Sequence, residues 1–275
     1  MRAAMISLVL LLSLALVASA QPHRYALQLY HFNIQYVAGG LRGLSEEPGD
    51  LDAWWNDDVE DIIITESFEP LLDLFLAHPN WGADFEMQGY FLEVLNERHP
   101  DVLEKLRTLV SRGQIEIVSF HYSDQLYLAY SKEDMEASIA LTDEVASSLN
   151  IEISPVVFCQ EGQAGWGAIG FAADHGRNIF VYPKNLYRYQ YGEWDNAPFY
   201  ERGDGTYVIF GPKGADWESP QIEVSWTYLD DGELLATGGL DPYFAPIFKY
   251  DPQALAEYEA RLEDLEEQGY EIATI

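Results

Sequence analysis

From residue 25 onward the sequence alternates between two apolar periods, and this alternation limits the folds available to it. Short runs rich in apolar and β-branched or aromatic residues occur at 25–36, 84–88, 114–120, 153–159, 178–182, 206–210, 222–228 and 270–275. Between several of them lie stretches whose apolar residues recur three and four apart. In 100–112 these are Val102, Leu103, Leu106, Leu109 and Val110, with Gly113 behind. In the stretch that opens at Ser131 they are Met135, Ile139, Val145 and Leu149, and in 252–268 they are Leu255, Tyr258, Leu262 and Leu265. Period 2 reads as strand and period 3.6 as helix. Ser131 to Asp134 has the spacing of a capping box, and Asp251 stands as an N-cap. Thr65 or Ser67 is expected to cap a further helix carrying Phe68, Leu71, Leu72, Phe75 and Leu76, with Pro70 in its first turn. A short helix is expected over 168–175, and the Tyr-rich stretch 184–200 reads as a long loop. Strand and helix in turn imply an α/β domain with a mainly parallel sheet. Seven or so such strands favour a closed or nearly closed barrel.

The first twenty residues stand apart. Arg2 precedes an apolar run from Ile6 to Val17 and the small residues Ala18-Ser19-Ala20. This is the pattern of a cleaved secretory signal peptide, too short to span a bilayer. A secreted or periplasmic chain without membrane insertion is expected, with residues 21–275 forming one barrel domain. Because the sequence stops within a strand, the domain is expected to be the front part of a longer protein. Removing Arg2 with the leader takes the net charge from −31 to −32. Such a surface repels nucleic acid and anionic membranes. The single cysteine, Cys159, lies in an apolar run and reads as a small buried hydrophobe.

In a parallel barrel, ligands sit at the carboxyl ends of the strands. Residues 151–167, IEISPVVFCQEGQAGWG, deliver Gln160, Glu161 and Gln163 at such an end, before a Gly-rich exit. Glu161 is the central candidate; its alternative role is to cap the helix that follows. Other strand ends bring His31, Asn33 and Gln35, then Glu116, His121 and Asp124, then Asp230, Asp231 and Glu233. Two carboxylates from different strands suit glycoside cleavage, one protonating the leaving oxygen while the other attacks the sugar or activates water. Trp166, Tyr187, Tyr189 and Trp194 could stack on sugar faces or simply pack. A metal site built on His31, His121 and Asp124 is the rival reading, but His31 is followed by Phe32-Asn33 and His121 by Tyr122-Ser123, so neither begins a His-x-x-x-His or His-x-Asp spacing. The G-x-x-x-x-G-K-[ST] phosphate loop and the Ser nucleophile elbow are also absent from the sequence.

Four segments together resemble glycoside hydrolase family 57, in particular its 4-α-glucanotransferases and amylase-like members. Arg112-Gly113-Gln114-Ile115-Glu116-Ile117-Val118 is similar to the family's third-strand Gly-Gln-Val-Glu segment, and Ser131-Lys132-Glu133-Asp134 opens the next helix as it does there. Phe158-Cys159-Gln160-Glu161 resembles the segment that carries the nucleophilic glutamate. Leu229-Asp230-Asp231-Gly232-Glu233 resembles the segment that holds the acid/base aspartate. The resemblance implies an incomplete (β/α)7 barrel of the glycoside hydrolase/deacetylase type, followed by a helical domain, and a retaining mechanism without metal or cofactor. Glu161 would be the nucleophile and Asp231 the acid/base, with Asp230 the lesser choice. His31, Asn33, Gln35, Glu116, His121, Gln160, Trp166 and Asp230 would bind a carbohydrate substrate. The first strand ends His31-Phe32-Asn33-Ile34-Gln35, where the family has His-x-His-Gln-Pro, and Glu233 is not followed by the usual Phe-Gly. A sugar-binding barrel without catalysis is therefore the alternative function. The oligomeric state is not set by the sequence.

Overall fold

The computed structural model describes residues 22–35, 56–123, 126, 129–159, 163–192, 197, 199–211, 217–218, 221–240 and 247–275. Ten strands are described: β1 (His23–Phe32), β2 (Ala83–Met87), β3 (Ile115–Val118), β4 (Val156–Val157), β5 (Ile179–Pro183), β6 (Phe199–Glu201), β7 (Tyr207–Gly211), β8 (Trp217–Glu218), β9 (Ile222–Asp231) and β10 (Glu271–Ala273). The helices among them are α1 (Asn56–Ile63), α2 (Glu69–Ala77), α3 (Gly89–Arg98), α4 (Pro100–Ser111), α5 (Lys132–Ser148), α6 (Trp166–Asp174), α7 (Lys184–Tyr191) and α8 (Pro252–Glu267).

Seven strands run parallel in the order β7-β5-β4, then β3-β2-β1-β9. An isolated parallel bridge, Ile117 to Ile153, is the link between the two groups. Among the described residues no ladder closes β7 onto β9. The seam is packed instead. Trp226 Nε1 donates to the Phe210 carbonyl at 3.0 Å, and Gly211 lies against Trp226 and Leu229 where a Cβ would meet carbons at 3.0–3.4 Å. Antiparallel β6 and β8 pair with the two strands that border the seam. The result is an incomplete (β/α)7 barrel.

Alternation along each strand separates two apolar layers. On β1, Ala26, Tyr30 and Phe32 join the cluster beneath α1 to α4 and α8, whereas Leu27 and Leu29 join the one formed with Val118, Val157, Val208 and Trp226. The short β10 pairs with Tyr25 to Leu27 of β1, while β2 pairs with Leu29 to Phe32. Residues 271–273 therefore fill the gap between β1 and β2 at the amino end of the barrel.

Two helical expectations are corrected, and one helix was not expected. Neither Thr65 nor Ser67 caps a helix: the helical path begins at Asn56 and passes through a π-turn over Ile64–Phe68 into α2. The Glu69 N–H donates to Ile64 O, one residue further back than in an α-helix, just ahead of Pro70, which has no N–H to give. α3 had no expected counterpart, because its mixed sequence gives a weak periodicity. Lys184 to Tyr191 is helix rather than loop, held by Tyr187 against Phe210 (ring centroids 4.7 Å apart) and Tyr182 (5.8 Å). The predicted caps at Ser131 and Asp251 are present, accepting from Asp134 N at 3.2 Å and Gln253 N at 2.9 Å.

Candidate functional site

Register decides which side chains meet at the carboxyl ends of the strands. His31 on β1 is in register with Glu86 on β2 and with Asp231 on β9. Residues in register share a face, so a histidine stands between two carboxylates on the inner side. Tyr30 is paired with Asp230, which puts that aspartate on the opposite, helix-facing side, where it is exposed. A bulge at Leu27/Gln28 makes this parity: without it, the two aspartates would exchange faces.

His31 Nδ1 bonds Glu86 Oε2, and Glu86 Oε1 lies 3.6 Å from His121 Nε2. Only the first member of this row reaches solvent: the side chain of His31 is 11% exposed, that of Glu86 0% and that of His121 1%. Burial, with His31 nearby, holds the His121 imidazole below its ordinary range, against the pull of Glu86. Burial also pushes the Cys159 thiol well up, and Glu86 adds to it, so the thiol stays protonated and inert.

The strand ends are fixed by backbone contacts. Gln88 Nε2 donates to the Phe32 carbonyl at 2.7 Å and ties β1 to β2. Tyr228 Oη donates to the Asp231 carbonyl at 2.8 Å, and Asp230 Oδ1 accepts the Asp231 N–H at 3.2 Å. Ser67, carried inward by the π-turn, donates to the Gly232 carbonyl at 3.0 Å. Gly232 is required by close approach: a Cβ there would lie 2.8 Å from the Phe32 ring and 2.9 Å from Tyr30 Cβ.

The remaining candidates fall as follows. Asn33 Oδ1 accepts the Gln35 N–H at 2.7 Å, an Asx turn that bends the chain as it leaves β1. Glu116 does not join the site. It is in register with Asp84, two residues below Glu86, and it bonds Ser154 and, at 3.3 Å, Thr274 Oγ1. Its expected role in substrate binding is replaced by one in the barrel interior. Gln160, Glu161, Asp124 and Trp194 lie outside the described residues, as does the side chain of Trp166, which opens α6. Tyr187 is taken up by packing and Tyr189 is exposed. As for a metal, the one His/carboxylate group among the described residues close enough to share an ion is His78, Glu259 and Glu263, away from this row. Glu86 was not foreseen as a site residue. Its signal was present in Asp84-Phe85-Glu86-Met87-Gln88, where polar residues alternate with apolar ones in a strand that turns out to be buried throughout.

Residues 29–164 match the family model described as Glycosyl hydrolase family 57. The chain carries a glycosyl hydrolase family 57 domain. The matched span includes His31, Glu86, His121 and Glu161, and Asp231 lies beyond it. An α-amylase of Pyrococcus abyssi is 30% identical over 87 residues, 32% of this chain and 13% of that protein. A 4-α-glucanotransferase of Thermococcus litoralis is 30% identical over 90 residues, 33% of this chain and 14% of its own length. The crystal structure of the Thermococcus litoralis 4-α-glucanotransferase superposes with a TM-score of 0.65 at 18% identity, covering 92% of this chain and 39% of that one. A polysaccharide deacetylase structure from Mycobacterium smegmatis, described as putative, gives 0.50 at 14% identity, over 93% of this chain and 78% of that one. The fold is that of family 57 and deacetylase barrels, and the chain covers less than half the length of the α-amylase and of the 4-α-glucanotransferase. No helix among the described residues is long and apolar enough to cross a membrane.

Proposed function

We propose that this chain is the barrel of an exported, retaining α-glycosidase or transglycosidase that acts on α-glucans. The observation that carries the reading is the parity of β9, which sets Asp231, and not Asp230, on the inner face beside His31. In this reading Glu161 attacks the anomeric carbon and Asp231 protonates the departing glycosidic oxygen. Asp231 then removes a proton from water or from an acceptor sugar, which displaces Glu161 and restores the configuration. Retention requires the two carboxyl groups about 5–5.5 Å apart. No metal or cofactor takes part. His31 donates to a sugar oxygen at the carboxyl end of β1, and the polar strand ends around it select a hydroxyl-rich ligand.

The test is turnover of maltooligosaccharides by the exported full-length protein, with the anomer of the first product read by proton NMR. Retained configuration, lost in both Glu161→Gln and Asp231→Asn, is the expected result. Activity at the unaltered rate in either variant would overturn it. A second reading, a sugar-binding barrel without catalysis, is favoured by Asn33, whose side chain bonds the backbone of its own turn. That reading expects glucan binding to survive both substitutions, with no turnover by the unaltered chain.

A further inference from the structure

Glu86 is a wholly buried carboxylate on a central strand. A buried charge persists only when it is paired. Both ion pairs given to it among the described residues are with histidines, His31 in direct contact and His121 at 3.6 Å, and neither Lys nor Arg takes part. A positive charge that pairs an ionised Glu86 therefore sits on an imidazole.

Geometry selects which one. His121 is closed off from solvent, and among the described residues its Nε2 and Glu86 Oε1 both lack a hydrogen-bond partner. His31 is in contact with Glu86 through Nδ1 and stands at the partly open edge. It is also in register with Asp231 on its other side, so carboxylates flank it on both neighbouring strands. The groups around the pair are thus Glu86 from β2, Asp231 from β9, His121 beyond β3 and the Cys159 thiol beyond β4. The two carboxylates favour a charged His31, and the thiol is uncharged. Burial acts on His121 in the opposite sense and keeps it neutral.

We propose that Glu86, closed off from behind by His121, holds His31 as an imidazolium, so that a carboxylate–imidazolium pair stands at the partly open carboxyl end of β1 and donates from Nε2 to an oxygen of the sugar. With Nδ1 turned to Glu86, Nε2 is the nitrogen that faces away from it. Glu86 is then a positioning residue: it fixes the charge and orientation of the ring and is itself out of a ligand's reach. The sugar as ligand rests on the function proposed above, whereas the charge on His31 does not.

The experiment reads the ring directly. In the full-length protein labelled with 15N, long-range proton–nitrogen spectra report the protonation of each of the six histidines as pH is raised, and His31→Gln assigns the His31 signals. The imidazolium pattern of His31 should persist at least one unit above the ordinary midpoint of about 6.5, while His121 stays neutral. In Glu86→Gln the His31 midpoint should fall by at least one unit, since an opposite charge at this range shifts a midpoint by about 1–3 units. His78 and His99, whose partners are Glu259 and Asp61, should not move. A His31 midpoint at or below the ordinary value in the unaltered chain overturns the proposal, and this reading does not depend on the variant folding. So does an unchanged midpoint in a folded Glu86→Gln protein. Turnover is not part of the readout, so the same spectra stand whether or not the glycosidase function does.

Discussion

Gly232→Ala tests whether the strand end that carries Asp231 is set by packing. The added methyl would lie 2.8 Å from two carbons of the Phe32 ring and 2.9 Å from Tyr30 Cβ. Carbon atoms pack at about 3.5–4.0 Å, so one side must yield by most of an ångström. The ring cannot swing away cheaply. It is fully buried and packs against Phe68, Phe85 and Phe91, with centroids 4.9, 5.6 and 6.2 Å away. On the other side the Gly232 carbonyl is held by Ser67. Overpacking of this kind costs about 1–3 kcal/mol. At about 2 kcal/mol, the midpoint of thermal unfolding should fall by roughly 4–8 °C for a chain of this size. If the strand end shifts instead of the ring, Asp231 moves with it, and a displacement near 1 Å costs about 100-fold in rate. The assay is a double-mutant cycle with Phe32→Leu, which opens the space that the methyl needs. Unfolding in urea should show the double variant more stable than the sum of the singles by at least about 0.5 kcal/mol, with turnover recovering alongside. Additive losses, or a Gly232→Ala protein within about 0.5 kcal/mol of the parent, would refute the packing account.

Three further outcomes follow from the same geometry. Asp231→Asn should lower turnover of maltooligosaccharides by about 10²–10⁴, the usual worth of a general acid–base group, while Asp230→Asn, on the other face, should lose less than about tenfold; equal losses would contradict the parity of the strand. Asp84, buried beside Glu116, has its carboxyl pushed well above the ordinary range, by burial first and by Glu116 second. Its folded form therefore favours the proton, so its contribution to stability is complete below the unfolded value near 3.9 and is lost as pH rises through the folded one. Asp84→Asn should therefore stabilise the protein at pH 7.5 by about 1–3 kcal/mol, with the gain shrinking toward pH 4; a gain independent of pH in urea unfolding would reject this. Ser67→Ala should cost about 1 kcal/mol by leaving the buried Gly232 carbonyl without its donor, and an unchanged unfolding midpoint would count against the support assigned to the π-turn.

Much of the fold was legible because its signals are local. Period 2 and period 3.6 alternate along the chain, and the caps at Ser131 and Asp251 act within three residues. The π-turn was not legible, because the bond from Glu69 to Ile64 answers to Pro70 and to the distant Gly232 together. Helix α7 was hidden because aromatic residues score poorly for helix, and its stability comes from Tyr182 and Phe210 on other elements. At the site, His31 and Asp231 could be named from strand ends. Choosing between Asp230 and Asp231 on the residues alone was impossible, since a single bulge on a strand 200 positions from its partner reverses the parity. Glu116 was misplaced by two residues along β3, one layer of the barrel, which no local pattern reports. Glu86 carried a readable mark, an acid alternating with apolar residues, but its meaning depends on the histidines that β1 and the segment after β3 bring to it.

The barrel thus holds acids in two layers, and what neutralises each layer separates structure from chemistry. In the lower one, Asp84 accepts the Ile275 N–H at 3.0 Å, and Glu116 is met by the Ser154 and Thr274 hydroxyls. Every donor there is a backbone amide or a hydroxyl, which cannot become charged. That layer relieves its repulsion by keeping a proton on the Asp84 carboxyl group, which makes it a pH-dependent cost to folding. In the upper layer the partners of Glu86 are imidazoles, which can hold a proton near neutral pH. One of them reaches the open edge beside Asp231. Two residues of strand rise, about 6.6 Å, separate these acids from a row whose imidazoles, in the function proposed above, would meet a bound sugar. If both layers proved equally insensitive to pH in unfolding and in histidine titration, this division would fail, and with it the reason for assigning chemistry to the upper row.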